Sequence, residues 1–386
     1  MPPASSPGKP FSPTAGSTPA FEVASRHGRT RTAKPAPLGN GLAPVALHYV
    51  FGVMSSAVGA VARWITPFLG VAAVAGMVCA PDPVQSGPAP AVRLVDEVNP
   101  LAGATLYVNP QSAAMRAAQS ADPPSPELTA IANTPTAYWM DQASNPAVDA
   151  KYIAAAQAAG TMPVLALYGI PHRDCGSYAA GGFGSGNAYR GWIDGVASDI
   201  GSGPAAIILE PDALAMADCL SADQRQERFD LMRYAVDTLT RNPASAVYID
   251  AGHSRWVSAD DMAGRLNQVG LDHARGFSLN TANFFTTDEE TGYGDAISGL
   301  TNGKHYVIDT SRNGAGPVEG DPMYWCNPSG RALGVAPTTA TTDGNVDAYL
   351  WVKRPGESDG SCGNGEPGAG RFVNQYAIDL ASKAGQ

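Results

Sequence analysis

Short apolar runs recur along the chain from about residue 105 to its end, and stretches with helical periodicity separate them. The runs are Thr105–Val108, Thr136–Trp139, Val164–Tyr168, Ala205–Leu209, Val247–Ile249, Gly276–Leu279, Tyr306–Ile308 and Ala348–Val352. Helical patterns lie between most of them, over Ala147–Ala159, Ala188–Ile200, Ala222–Arg241, Ser258–Val269 and Thr287–Leu300, and a closing helix is expected at about Val373–Lys383. Strand and helix in alternation predict parallel βα units. Seven or eight such strands in a single domain predict a closed α/β barrel rather than an open sheet.

One stretch organises the rest. Ala205–Leu209 is continuously apolar, preceded by Gly203-Pro204 and ended by Glu210-Pro211, which reads as a strand buried on both faces. Pro211 has no N–H to give a ladder, so the strand stops there. Asp212 is then delivered at the carboxyl end of the strand, beside Ala213, Leu214 and Met216. A carboxyl group among apolar neighbours has a raised pKa, as a general acid near neutral pH requires. The competing reading is that Asp212 caps a following helix.

Polar residues gather at the same end of the other runs. Asn109 follows the first and Asp141 the second, which ends in Trp139. Tyr168 ends the third, with Arg173 and Asp174 beyond it; Glu210 and Asp212 follow the fourth, Asp250 and His253 the fifth. Asn280 and Asn283 follow the sixth, Asp309 and Arg312 the seventh, and Lys353, Glu357 and Asp359 the eighth. Each alone could be an Asx turn or a cap. Together they predict one mouth at the strand ends, where such barrels carry their chemistry.

Composition changes the picture mainly before residue 99. Of 386 residues, 44% are hydrophobic and 16% charged, with 43 Gly and 32 Pro unevenly spread. Residues 1–52 are expected to be disordered for most of their length, since their first forty positions are rich in Pro, Ser, Thr, Ala and Gly and carry several Arg. Residues 53–80 have the form of an export signal, with 17 uncharged positions from Trp64 to Ala80, or of an uncleaved anchor. Residues 81–98, with four prolines, read as a linker into a catalytic domain over 99–386. Residues 1–80 carry six basic and one acidic side chain; a total of −10 therefore leaves −15 on the remainder, which disfavours nucleic acid or anionic lipid as partners. Beyond Cys79, four cysteines remain: Cys175, Cys219, Cys326 and Cys362. An even number without CxxC spacing in an exported chain reads as two disulfides in one of three pairings.

The chemistry at the mouth is carboxylates, aromatics and amides. Gly252-His-Ser-Arg-Trp256 lacks the second glycine of a nucleophile elbow, and Gly182-Phe-Gly-Ser-Gly186 lacks the residues of a phosphate loop, so it is taken as a flexible loop over the site. Asp250 and His253 have no third metal ligand nearby in sequence, and neither metal nor cofactor is expected. Several carboxylates beside Trp139, Trp256 and Trp325 suit sugar-polymer hydrolysis, in which one carboxylic acid protonates the leaving oxygen and flat rings stack on pyranose faces. Trp351 lies within its strand and is assigned to packing.

Tyr168-x-x-Pro-x-Arg-Asp-Cys-Gly176 with Ala180-Gly-Gly182, and Ile207-Ile-Leu-Glu-Pro-Asp-Ala-Leu-Ala215, resemble the two signature segments of glycoside hydrolase family 6. Asp250-Ala-Gly-His-Ser-Arg-Trp256, Asp309-Thr-Ser-Arg-Asn-Gly314, Trp325-Cys-Asn-Pro-Ser-Gly-Arg331 and Trp351-Val-Lys-Arg-Pro-Gly-Glu-Ser-Asp-Gly360 follow in the family's order, so the resemblance covers about Asn99 to the end. It implies a distorted TIM-like barrel that cleaves β-1,4-glucan with inversion, as a monomer and without metal. By the resemblance Asp212 is the general acid, Asp174 its support and Asp359 the candidate base, acting directly or through water. Tyr168 presses on the sugar ring at the cleavage point. Lys353 and Glu357 bind hydroxyls there, Trp139 and Trp325 stack donor-side sugars, and His253 and Trp256 serve the acceptor side. Asp141, Asp250 and Asn283 complete the expected substrate contacts. The implied disulfides are Cys175–Cys219 and Cys326–Cys362. Ala180 stands where relatives can carry a Ser that holds the attacking water, so the resemblance implies an altered water path here; Ala282 also stands where relatives can carry Ser. A compact domain suggests an open cleft and internal cuts. A non-catalytic glucan-binding protein, an exo-acting relative or a glycosidase of another specificity are the competing readings.

Overall fold

The computed structural model describes residues 98–341, 343–362 and 366–385. The expectations for residues 1–52, 53–80 and nearly all of 81–98 lie outside them. Seven strands run parallel in sequence order, β1 (Tyr138–Met140), β2 (Val164–Leu167), β3 (Ala205–Leu209), β4 (Ser245–Asp250), β5 (Gly276–Leu279), β6 (His305–Asp309) and β7 (Val346–Leu350). Eight helices accompany them among the described residues: α1 (Ala113–Ser120), α2 (Pro126–Ala132), α3 (Pro146–Ala158), α4 (Gly186–Ile200), α5 (Ala222–Leu239), α6 (Ala259–Gln268), α7 (Thr287–Leu300) and α8 (Asn374–Ser382).

The strands read as unbroken apolar runs because each is divided between two cores. Leu165, Leu167, Ile207, Leu209, Val247 and Ile249 pack outward in the larger cluster with the helices. Ala166, Ala206, Ile208, Ala246, Tyr248 and Ala348 form the other, inside the curl of the sheet. Small side chains prevail on the inner face, where strands converge and room is short. Helix starts follow capping rules. Ser185, Ser221 and Ser258 accept N–H bonds from the first turns of α4, α5 and α6, and Gln224 completes a capping box on α5.

Two expectations are corrected. Thr105–Val108 is not a strand of the sheet but a single parallel bridge, Leu106 to Met162. From Leu165 onward that edge of β2 is taken by β1, starting with Tyr138, so the earlier run reaches only the residue before β2. Nor does the sheet close by a ladder between β1 and β7 among the described residues; Ala137 N–H donates to Trp351 O at 2.9 Å, and the Trp139 indole donates to Val352 O at 2.8 Å. Helices α1, α2 and α8 lie against this end of the barrel, packing Leu128, Ile131 and Leu380 with the buried Trp351. No helix among the described residues is long and apolar enough to cross a membrane.

Candidate active site

The segments that follow the strands converge as the sequence predicts, and two disulfides pin them. Cys175–Cys219 ties the segment after β2 to the one after β3, with Cα atoms 6.3 Å apart, and Cys326–Cys362 ties those after β6 and β7 at 6.5 Å. Cross-links spanning 44 and 36 residues each remove roughly 4 kcal/mol of chain entropy from the unfolded state. Between these segments lies a cleft of about 420 Å³. Tyr168, Asp174, Asp212, His253, Trp256, Asn283, Trp325, Lys353 and Asp359 all line it, from segments after five different strands and one long connection. Several of them sit on strained backbone. Asp174, Asp212 and Ala282 have φ of +54°, +69° and +60°, conformations that cost about 1 kcal/mol or more for residues with a Cβ and concentrate where geometry is over-determined.

Asp212 does not cap a helix; the short turn of helix that follows begins after Leu214 and has no side-chain cap. Its backbone N–H donates instead to Asp250 Oδ1 at 3.0 Å. Burial, then the charges of Asp250 and Asp174, push the Asp212 carboxyl up to about 8, against the opposing pull of Lys353 and a hydrogen bond with Tyr168. Asp250 lies beneath the cleft rather than in its lining. It also accepts from Gly252 N–H at 3.0 Å and Ser278 Oγ at 3.1 Å, and burial raises it to about 6 in spite of those bonds. Asp174 is raised by burial, while the Ala179 N–H it accepts at 2.6 Å and the charge of Arg173 hold it back.

Asp359 is the opposite case. Burial alone would raise it, but Arg312 and Lys353 reach it at 2.7 and 3.1 Å and hold the carboxyl below its ordinary value. Asn327 N–H adds a bond at 3.0 Å. Arg312 is itself fully buried, with its guanidinium over the Phe284 ring at 4.2 Å and a second bond to Ala282 O. Asp359 is therefore an ionised carboxylate at neutral pH.

Aromatic side chains make the walls. His253 stacks on Phe285 at 4.3 Å and neighbours the exposed Trp256. Burial lowers His253 to about 4, and Arg255 N–H donates to its Nδ1 at 3.3 Å, so the neutral ring carries its proton on Nε2, facing Tyr324 Oη at 3.3 Å. Trp325 meets Tyr178 at 5.3 Å between ring centroids. The Asn283 Oδ1 atom is buried and finds no partner among the described residues.

Four expected site residues do not line the cleft. Trp139 stands edge-on to Tyr168 at 5.4 Å, one layer back. Asp141 accepts Ala143 and Ser144 N–H in an Asx turn and lies 3.6 Å from Arg173. Asp250 is the floor described above. Glu357 pairs with Arg354 at 2.7 Å and lines a separate cavity beside α1. Ala180 likewise faces a neighbouring groove, while Ala179 and Ala282 face the cleft.

The glycine-rich segment Gly182–Gly186 does not cover the cleft either; it lines that groove. Gly182, at φ +90°, donates to Gln142 Oε1 at 3.1 Å, and a Cβ there would stand 1.9 Å from Ile170 O, so glycine is required by packing. The residues between β2 and α4 that line the cleft are instead Tyr168, Asp174 and Ser177 to Ala179. Tyr178, Arg255 and Tyr324 line the cleft without a role expected from the sequence, and Arg312, expected only as one polar residue of the mouth, enters by its pairing with Asp359. Aromatic Tyr324 beside Trp325, and Tyr178 three positions from Cys175, were the available signals.

Comparison with known proteins agrees with this geometry. The sequence model described as Glycosyl hydrolases family 6 matches residues 101–384. The chain is 46% identical over 285 residues to Endoglucanase A of Cellulomonas fimi, covering 72% of this chain and 61% of that protein. It is 40% identical over 313 residues to Endoglucanase 1 of Streptomyces halstedii, covering 77% and 94%. The chain thus spans less than two thirds of the length of the Cellulomonas relative. Among solved structures, endoglucanase Cel6 of Mycobacterium tuberculosis, in complex with a methyl-cellobiosyl thio-cellobioside, superimposes with a TM-score of 0.73 at 73% identity, covering 75% of this chain and all of that one.

Proposed function

The chain belongs to glycosyl hydrolases family 6, and on that premise we propose that it cuts internal β-1,4-glucosidic bonds of cellulose or a related β-glucan with inversion. The observation that carries this reading is the pair of unlike carboxyls in one cleft, Asp212 kept protonated to about pH 8 and Asp359 kept ionised. Asp212 gives its proton to the glycosidic oxygen as the bond to the anomeric carbon breaks, and the bonding electrons leave with that oxygen. Asp359, fixed and negative, stabilises the positive charge that develops on the sugar ring. Water attacks the anomeric carbon from the opposite face, and its proton passes through water to a carboxylate, Asp359 or Asp174. Tyr168 lies against Asp212 and is placed to press the ring toward a distorted shape, while Lys353 offers its ammonium to sugar hydroxyls.

Trp325 and Trp256 line the cleft and supply stacking faces, and His253 and Asn283 supply polar contacts. The relatives named above are endoglucanases by name, and only 36 positions separate Cys326 from Cys362, which leaves little chain to roof the cleft. Both facts favour internal cleavage, and we propose that the chain acts as a monomer. Viscosity and reducing-end release on soluble carboxymethylcellulose test it: a viscosity collapse ahead of reducing ends supports internal cuts, and reducing ends with viscosity intact contradict them. Proton NMR of the first-formed anomer tests inversion. We also propose export directed by residues 53–80; a mature protein that begins at Met1 would contradict it.

A further inference from the structure

Beneath the Tyr168 turn lies a carboxylate that the cleft does not touch. Glu210 is wholly buried, yet its side chain is engaged by backbone rather than by a guanidinium or ammonium. Both oxygens accept Gly169 N–H at 3.0 Å, and Oε2 also accepts Ile170 N–H at 3.0 Å. These are the two residues that follow Tyr168. Glu210 is also two positions before Asp212, with φ +53°. Its own N–H donates to Leu167 O at 2.8 Å, and its carbonyl accepts Ala213 N–H at 3.1 Å. Arg228, from α5, braces the same pair of loops through Ala213 O at 2.9 Å and His172 O at 2.8 Å.

We propose that Glu210 is a positioning residue for the hydrolytic reaction: its ionised carboxylate holds the Gly169–Ile170 backbone and so fixes the Tyr168 ring against the Asp212 carboxyl. The proposal rests on reading the cleft as a glucan hydrolase. A carboxylate suits this task because both its oxygens accept and neither donates. Once protonated, the group carries an O–H that cannot face an N–H and has lost the negative charge that strengthens acceptance, so its grip on the two N–H groups loosens. Burial pushes Glu210 up to about 7, while the Ile170 and Gly169 N–H groups, Tyr189 and Arg173 oppose the rise. The charged and titratable groups that face it are Tyr168 and Arg173 around the turn, Tyr189 on α4 and Arg228 on α5. The grip is therefore present above about pH 7 and weakens as pH falls through that value. This limb is separate from the loss of the Asp212 proton at higher pH.

The test is Glu210→Gln in the full chain, with kcat and KM on soluble carboxymethylcellulose measured across pH. We expect kcat to fall roughly tenfold or more with KM within about threefold, because a displaced ring harms the transition state more than binding. The acid limb of the wild-type profile should flatten in the variant while the basic limb stays. A variant whose profile keeps both limbs and whose kcat matches wild type would overturn the proposal. Hydrogen exchange at the Gly169 and Ile170 amides of the wild type, read by NMR, provides a measure independent of catalysis and of the variant's folding. Their protection, corrected for intrinsic rates, should fall between about pH 8 and pH 6 while that of Ile208 in β3 holds. Flat protection at Gly169 and Ile170 would refute the brace. A wild type inert on glucan whose two amides still lose protection would refute the proposed function and leave the brace standing.

Discussion

Asp212 and Asp359 reach the same cleft from the segments after β3 and β7, and burial penalises the charge on both. Their protonation nevertheless goes opposite ways. Around Asp212 the near charges are other carboxylates, Asp250 and Asp174, and the single cation Lys353 is outweighed. Around Asp359 two cations stand at 2.7 and 3.1 Å and outweigh the burial. Desolvation sets the stakes in each region and the sign of the neighbouring charge decides the outcome. One fold thereby keeps an acid and a carboxylate side by side at the same pH.

The comparison breaks most visibly at Asp212 itself. Asp212→Asn should lower kcat on soluble glucan by about a thousandfold, since general acid catalysis contributes on that order, and steady-state kinetics would show it. The Asp359 side breaks through its partner. Arg312→Met leaves a buried carboxylate with Lys353 alone and should cost about 3–5 kcal/mol, read by denaturant unfolding. Arg312→Lys restores charge without the two-directional reach to Asp359 and Ala282 and should recover part of that loss. Because Asp359 is depressed in the folded protein, its stabilisation is present above its unfolded pKa and lost as pH falls through the folded one. Acid unfolding should accordingly begin at higher pH in both variants than in the wild type.

Asp250→Asn sharpens the other half. The Asn oxygen can still accept the Asp212 N–H, but the like charge is gone, so the Asp212 carboxyl should drop by about one unit from its value near 8. The protonated acid is lost as pH rises through that pKa, so the basic limb of kcat should move to lower pH. An unmoved limb would assign it elsewhere. The smallest effect is expected at Tyr178, which touches Trp325 but neither carboxyl. Tyr178→Ala should raise KM about threefold with kcat little changed, the mark of lost uniform binding.

Most of this was legible because it depends on local order in the chain. Pro211 ends β3 and delivers Asp212, and six of the seven other apolar runs fall at or within two residues of observed strands that share its direction. The Thr105–Val108 run was misread because sequence cannot say which edge is already occupied; β1 had taken it. The same limit applies to side-chain partners. Arg312 was visible as a polar residue after β6, but its pairing with Asp359 spans 47 positions and is created by the curl of the sheet. Glu357 and Asp141 follow strands as faithfully as Asp359 does, yet their side chains turn to Arg354 and to a local turn. Position along a strand predicts the neighbourhood of a residue. The direction of its side chain is decided by what the neighbouring segments offer.

The central claim is that Asp212 gives its proton to the leaving oxygen. It is tested most directly by comparing wild type and Asp212→Asn on soluble glucan and on 2,4-dinitrophenyl β-cellobioside, whose leaving group departs without protonation. The expected loss is about a thousandfold on glucan and less than about tenfold on the activated glycoside. Equal losses on both substrates would contradict it, leaving Asp212 a contributor to binding or to the electrostatics of the cleft and not the proton donor.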